Sequence, residues 1–236
     1  MHIRSFAYRS LISHINTYDL LLYLPQLFQI IKFDYHYSSP IIEHLLQQSI
    51  EDHRLAHKLY WCLRQLLLME NMHFIRYYYF FMALSYVIGE NFRRELENEY
   101  QLGLQLKRIG SELKTSRFNR RFFLNQQLTL LNDDFFQWGE QSCRLPCQFN
   151  FLTNNIDLNS CSVFSSGTSP MKIVFNPIDT SGEKYYSIYK VGDDLRVGNR
   201  KLYLANLKCL FFLVCSKIKL SCNCLHVWTR SGKRMI

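Results

Sequence analysis

Two places in the sequence hold residues that could bind phosphate. The run at residues 165–169 reads SSGTS, and its hydroxyls and backbone N–H groups suit phosphate oxygens. The same composition is also typical of a plain hairpin turn. Lys190 ends an aromatic run and precedes a Gly-Asp-Asp turn. A lysine in that position is most often a solvated surface residue, so its chemistry depends on the elements around it.

Histidines and cysteines offer weaker candidates for metal ligands. His53 and His57 lie four residues apart and could share one helical face. Zinc requires at least a third ligand and supporting second-shell contacts, and the sequence offers none near them. Cys222, Cys224 and His226 lack the spacing of common zinc sites. We predict no metal site.

The net charge of +9 belongs to one end of the chain. Residues 197–236 contain eight Lys or Arg and no Asp or Glu, so the remaining residues are close to neutral. A nucleic-acid interface would place basic residues on a folded surface rather than in one terminal segment. We therefore predict no nucleic-acid partner, and treat residues 197–236 as a separate basic tail that is disordered.

Helical periodicity dominates residues 1–140 and predicts antiparallel helices that stack into an irregular α-solenoid. One helix is expected at residues 19–33, with a kink or break at Pro25. Ser39 and Pro40 predict the start of the next helix. Further helices are expected from Asp52, then at residues 77–88, 91–114 and 122–136. The apolar runs at residues 77–88 and 202–214 are too short to span a membrane.

After Gly139 the pattern changes to short runs of β-branched and aromatic residues. Strands are predicted at residues 160–164, 172–175 and 185–190. Asp179-Thr180-Ser181-Gly182 predicts a hairpin turn between the last two. The domain boundaries that follow are 1–140, 141–196 and 197–236.

Three stretches resemble the phosphoinositide 3-kinase family. They are YLPQLFQIIKFD at residues 23–34, RLAHKLYWCLR at residues 54–64, and CSVFSSGTSPMKIVF followed by YSIYKVGDDLR within residues 161–196. Their order and spacing match the family, and the Cys-Ser-x-Phe start is more similar to class II members than to classes I or III. The resemblance implies a mainly α fold. A helical domain at 1–140 would precede the antiparallel strands of an incomplete α+β kinase N-lobe at 141–196.

The resemblance also implies roles for the phosphate candidates. The loop of Ser165, Ser166, Gly167 and Thr168 would cover the ATP phosphates, and Lys190 would neutralise them. The intact family enzyme uses ATP and Mg to phosphorylate the inositol 3-hydroxyl of phosphoinositides. It would be cytoplasmic and peripheral to membranes, which it would meet through regions missing here. Protein partners could bind the helical domain.

The chain nevertheless lacks the family's Asp-Arg-His-x-x-Asn catalytic loop and its Asp-Phe-Gly motif. We therefore assign no catalytic residue and expect no lipid kinase activity from this chain alone. We also expect the apolar faces of its strands to be uncovered. The alternative is a non-catalytic helical scaffold that holds a protein partner.

The resemblance stops at Arg196, where the acid-free tail begins with Val197. A valine codon begins with GT, the dinucleotide that opens most introns. Our hypothesis is read-through of an unspliced junction, which sequencing of the transcript across the Arg196 codon would test.

Overall fold

A computed structural model describes residues 2–34, 36–37, 39–69, 72–116, 119–146, 148–166, 169–179, 182–191 and 218–221. They form two compact units. The first unit contains the described residues of 1–104 and 143–152. The second contains those of 105–142, 153–191 and 218–221.

Within the described residues there are seven α-helices, followed by a small antiparallel sheet, which confirms the mainly α fold class. The helices are α1 (His2–His14), α2 (Thr17–Ile31), α3 (Pro40–Glu51), α4 (His53–Met69), α5 (Phe74–Val87), α6 (Glu90–Thr115) and α7 (Arg120–Asp134). Helix α1 was not predicted, because its mean hydropathy is close to neutral and its apolar periodicity is weak. In the first unit, α4 packs against α2, α3 and α5.

Of the predicted kink or break at Pro25, the break does not occur, because α2 continues through this residue. Proline has no N–H to donate to the carbonyl four residues earlier, which is that of Leu21. The amine of Lys58, on α4, donates to this oxygen at 2.6 Å. The lysine therefore replaces the missing helix bond, while the apolar stripe of α2 stays buried.

Pro40 opens α3 at its first turn, as predicted, and Ser39 is the N-cap residue. The Ser39 hydroxyl makes no capping bond. Its backbone carbonyl instead accepts from the Glu43 N–H at 3.0 Å. Here the proline, with its fixed φ, suits the start of the helix without help from the serine side chain.

The strands are β1 (Cys143–Leu145), β2 (Gln148–Ile156), β3 (Ser162–Val163), β4 (Met171–Pro177), β5 (Tyr185–Val191) and β6 (Ile218–Ser221). In the second unit β4 pairs antiparallel with β2, β3 and β5. The predicted strands at residues 160–164, 172–175 and 185–190 correspond to β3, β4 and β5. The sequence did not predict β1 and β2.

One face of this sheet is covered by the second half of α6. A Cβ added to Gly110 would lie 2.6 Å from Val191 Cγ2 and 3.1 Å from Met171 Cε. Met171, Ile173 and Phe175 are fully buried. The expectation that the strands lack a covering helix was wrong, because α6 runs on past the first unit and supplies one.

In the tail the structure describes only β6, which pairs antiparallel with β5. The other tail residues, including Cys222, Cys224 and His226, lie outside the described part of the chain. The predicted domain boundaries and tail disorder stay predictions.

Each unit contains buried free thiols. Burial raises the pKa of Cys62 to about 12 and that of Cys161 to about 11. The pKa of Cys143 is also raised, first by burial and then by the nearby carboxylates of Glu99 and Glu95. These groups stay protonated and unreactive while the fold is closed.

Candidate functional site

Lys190 lies on the sheet face opposite α6. Met171 and Val191 meet α6 at Gly110, and Met171 pairs with Tyr189 across the ladder. Side chains alternate along a strand, so Lys190, between Tyr189 and Val191, is on the other face. Its side chain is half-buried. This side of the sheet, which holds the sequence-predicted phosphate lysine, is called the open face because Tyr186 on it is 59% exposed, although Val174 on the same side is buried.

Lys172 shares this face with Lys190. It pairs with Ile188, two residues before Lys190, so the two lysines are diagonal neighbours on adjacent strands. The Lys172 amine lies 5.1 Å from the ring centroid of Tyr186, a cation–π distance on the same face. The sequence interpretation did not include Lys172, although the alternation of β4 and β5 together could have identified it.

The strands that hold these two lysines contain no acidic residue. Strands β3, β4 and β5 contain the two lysines and no Asp or Glu. Asp157, which follows β2, is paired with Lys184 at 2.6 Å. Hydrogen bonds from Lys184 and Ser160 hold the pKa of Asp157 below its usual value. Two lysines with no carboxylate on the same strands suit a multiply charged phosphate group.

The predicted phosphate loop connects β3 to β4 as a closed hairpin. The Phe164 N–H donates to the Pro170 carbonyl at 2.9 Å, and the Ser169 N–H donates to the Ser166 carbonyl at 3.0 Å. Ser169 has a φ of 44°, in the left-handed region. Ser165 and Ser166 are exposed, while Gly167 and Thr168 lie outside the described residues. Extending the Met171–Tyr189 register by one residue places Lys190 level with Pro170, where this loop ends.

The two histidines considered as metal ligands have unrelated environments. His57 Nε2 lies 2.9 Å from Glu99 Oε2, which also accepts from Trp61 Nε1 at 3.0 Å. His53 is exposed and stacks on Phe92 at 4.4 Å. In the part of the chain that the structure describes, no three His, Cys, Asp or Glu side chains are grouped so as to bind a metal ion.

No helix among the described residues has the length and apolar character needed to cross a membrane.

Comparison with known proteins identifies the helical part. Residues 1–96 match the accessory (PIK) domain of the phosphoinositide 3-kinase family. This range covers α1 to α5 and the start of α6, all of which lie in the first unit.

Individual relatives extend the similarity into the sheet. The chain is 34% identical over 197 residues to the human phosphatidylinositol 3-kinase C2 domain-containing subunit gamma, covering 82% of this chain and 13% of that protein. Identity to the human phosphatidylinositol 4-phosphate 3-kinase C2 domain-containing subunit beta is 32% over 186 residues, or 78% of this chain and 11% of the relative. Phosphatidylinositol 3-kinase VPS34 of Candida glabrata is 26% identical over 159 residues, or 67% of this chain and 17% of the relative.

A helical accessory domain followed by a small antiparallel sheet is thus the architecture, and the chain belongs to the phosphoinositide 3-kinase family. Higher identity to the C2 domain-containing relatives than to VPS34 agrees with the class II assignment made from the sequence. The chain spans about an eighth of the length of these C2 domain-containing relatives.

Proposed function

We propose that this chain is part of a phosphatidylinositol 3-kinase, with the sheet serving as the nucleotide-facing edge of its ATP-binding lobe. The intact enzyme would transfer the γ-phosphate of ATP to the inositol 3-hydroxyl of a phosphoinositide at a membrane surface. It would work in the cytoplasm, bound peripherally to membranes. The observation that carries this proposal is the position of Lys190 on the open face of the sheet, beside Lys172 and level with the end of the β3–β4 loop.

In this proposal the two lysines act by charge. Phosphoryl transfer depends on positioning and on neutralising the phosphate oxygens. Lys190 would lie against the nucleotide phosphates, and Ser165, Ser166, Gly167 and Thr168 would cover them. Lys172, held over Tyr186, would add a second cation on the same side.

The described residues fit the phosphates better than they fit magnesium. They contain two lysines on one face, but no cluster of carboxylates that could ligate the ion. The Mg²⁺ ligands and the base for the lipid hydroxyl would come from the lobe whose motifs this sequence lacks. We accordingly expect no turnover from this chain alone.

A chimera tests the proposal with this chain's own residues. Residues 1–191 would replace the matching segment of the human C2 domain-containing subunit gamma, and 3-phosphorylated lipid would be measured with labelled ATP. We expect the chimera to be active, and Lys190→Met to lower its turnover at least about a hundredfold. Lys184→Met is the matched control, because Lys184 precedes the start of β5, six residues before Lys190, and pairs with Asp157. It should change turnover less than about twofold.

An active chimera that tolerates Lys190→Met would refute the role of Lys190. A folded chimera without activity would refute the kinase assignment of this segment. Measurable 3-phosphorylated lipid from the unmodified chain alone would show that the missing motifs are not needed.

A second candidate function is a non-catalytic scaffold, and one feature favours it. Helix α5 buries Tyr77, Phe80 and Leu84 but exposes a second apolar stripe. The exposed members are Ile75, Tyr79, Met82 and Tyr86. Such a stripe is typical of a helix that contacts a protein partner. The folded but inactive chimera would be the outcome that favours this scaffold over the kinase.

A further inference from the structure

A cavity of about 700 Å³ lies in the second unit, on the helix-covered side of the sheet. Its walls come from the end of α6, the start of α7, strand β3 and the first residue of the β3–β4 loop. Val163 pairs with Met171, which contacts α6, so this wall is on the face opposite Lys190. The cavity therefore lies on the other side of the sheet from Lys190, although Ser165 of the β3–β4 loop borders both sites.

Among the described residues that line this cavity, three are cations: Lys114, Arg120 and Arg121. All three are exposed, and none forms an ion pair with a described residue. The lining residues that the structure describes include no Asp or Glu. Three cations facing one space without a counter-charge create a positive potential there, which an anion would relieve.

The remaining walls supply groups that suit a phosphate ester. Hydroxyls of Ser116 and Ser165 line the cavity, and Val163 and Phe164 give it an apolar side. The Asn119 side chain accepts from the N–H groups of Arg121 and Phe122, so it already caps α7. The guanidinium groups of Arg120 and Arg121 are not used by that cap and can contact phosphate oxygens in pairs.

We propose that this cavity binds an anion that bears phosphomonoester groups, held by Lys114, Arg120 and Arg121. Its volume lies within the range of small-ligand sites. A phosphomonoester carries close to two negative charges at neutral pH, whereas a carboxylate carries one. Three cations therefore suit a phosphomonoester better than a carboxylate. The anion could be a soluble inositol phosphate or the headgroup of a membrane lipid.

The test compares the full chain with the triple variant Lys114→Gln/Arg120→Gln/Arg121→Gln. Binding of inositol trisphosphate would be measured by calorimetry. Vesicle binding would be measured by sedimentation with phosphatidylcholine vesicles, with and without phosphatidylinositol phosphate. We expect the triple variant to lose at least about tenfold in affinity for one or both phosphate probes.

A control variant removes the same charge elsewhere. Arg9, Arg93 and Arg108 are exposed and are in no ion pair with a described residue, so Arg9→Gln/Arg93→Gln/Arg108→Gln matches the triple variant in net charge. Both proteins keep the basic tail. We expect the affinity of the control variant for the phosphate probes to fall less than about twofold. A difference between the two variants therefore reports the cavity rather than overall charge.

Ser116→Glu gives a single-residue test that does not depend on the triple variant folding. It places a carboxylate in the cavity wall beside the cations and should lower affinity for the same probe about tenfold.

Loss of inositol trisphosphate binding would identify a site for a soluble phosphate, and loss of phosphoinositide-vesicle binding alone would identify a lipid headgroup site. Equal affinities of the cavity and control variants would overturn the proposal. So would a wild-type chain that binds neither phosphate probe above the level of pure phosphatidylcholine. None of these readouts involves ATP, so they are independent of the proposed nucleotide face.

Discussion

The two units hold their elements together in different ways. In the first, helices are joined by buried polar bonds, such as His57 to Glu99 and Lys58 to the Leu21 carbonyl. In the second, α6 meets the sheet through apolar contact at Gly110, where there is no room for a side chain. The stability of the first unit should therefore fall most when a buried polar side chain is removed. The stability of the second unit should fall most when a side chain is enlarged at the contact between α6 and the sheet.

The largest expected effect comes from removing His57. His57→Leu takes one of two donors from Glu99 Oε2 and leaves a fully buried carboxyl group with fewer hydrogen bonds. Loss of one partner from such a buried pair costs about 3 kcal/mol in the free energy of unfolding. Urea unfolding followed by helical circular dichroism would measure it.

His53→Leu is the control for this prediction. His53 precedes His57 by one helical turn but is exposed, and its ring stacks on that of Phe92. Its loss should cost less than about 1 kcal/mol. Equal losses for the two variants would mean that the buried pair contributes little to the first unit.

The next effect uses two glycines of the same helix. Gly110→Ala adds a methyl group 2.6 Å from Val191 Cγ2, and overpacking of this kind costs about 2 kcal/mol. Gly103 has no atom within 4 Å of the added Cβ, so Gly103→Ala should raise stability by about 0.5–1 kcal/mol through helix propensity. Thermal unfolding of both variants would show opposite shifts of Tm.

Val191→Ala sharpens this comparison. It removes the methyl group that the new side chain would meet, so it should recover part of the stability of Gly110→Ala. If Gly110→Ala instead stabilises the protein as Gly103→Ala does, then α6 does not approach the sheet closely at residue 110.

The smallest expected effect concerns Lys58 and Pro25. Lys58→Met leaves the Leu21 carbonyl without this donor and should cost about 1 kcal/mol. In a Pro25→Ala background, residue 25 regains an N–H that can bond to the same carbonyl. The cost of Lys58→Met should then fall, and a double-mutant cycle would measure the coupling. If the stability effects of Lys58→Met and Pro25→Ala are additive, the Lys58 amine does not replace the missing helix hydrogen bond.

The same lysine gives a pH dependence. Burial lowers the pKa of Lys58 below its ordinary value of 10.5. Between the lowered pKa and 10.5 the unfolded chain binds a proton that the folded chain does not, so stability rises with pH in that window. Unfolding measurements across the alkaline range should show a flatter profile for Lys58→Met.

The sequence predicted the elements whose burial follows one simple period. Leu20, Leu24 and Ile31 repeat at helical spacing, and α2 forms where they do. Strand β2 was missed because Asn154 and Asn155 indicate a turn. In the structure they are accommodated by an irregularity in the β2–β4 register, next to which Asn132 bonds both backbone groups of Ile156. Such bonds depend on a residue of α7 that is distant in sequence.

The candidate site residues also divide into those that the sequence predicted and those that only the structure identified. Lys190 was predicted through its resemblance to a family position, whereas Lys172 was not predicted and became a candidate with the register of β4 and β5. The basic cavity could not be predicted, because Arg121 and Ser165 are far apart in sequence and are brought together by the packing of α7 on β3. Local sequence patterns identify helices and strands. Identifying which residues meet across a packed surface requires the three-dimensional fold.

The buried thiols can report local unfolding of each unit. Cys62 and Cys143 are in the first unit, and Cys161 is in the second, where its sulfur bonds to the Asp157 carbonyl and the Val174 N–H. A thiol reagent can modify these groups only when the surrounding structure opens, so the modification rate measures local unfolding. Matching rates would indicate that the units open in one cooperative event. A faster reaction at Cys161 would show that the sheet opens while the helices remain intact.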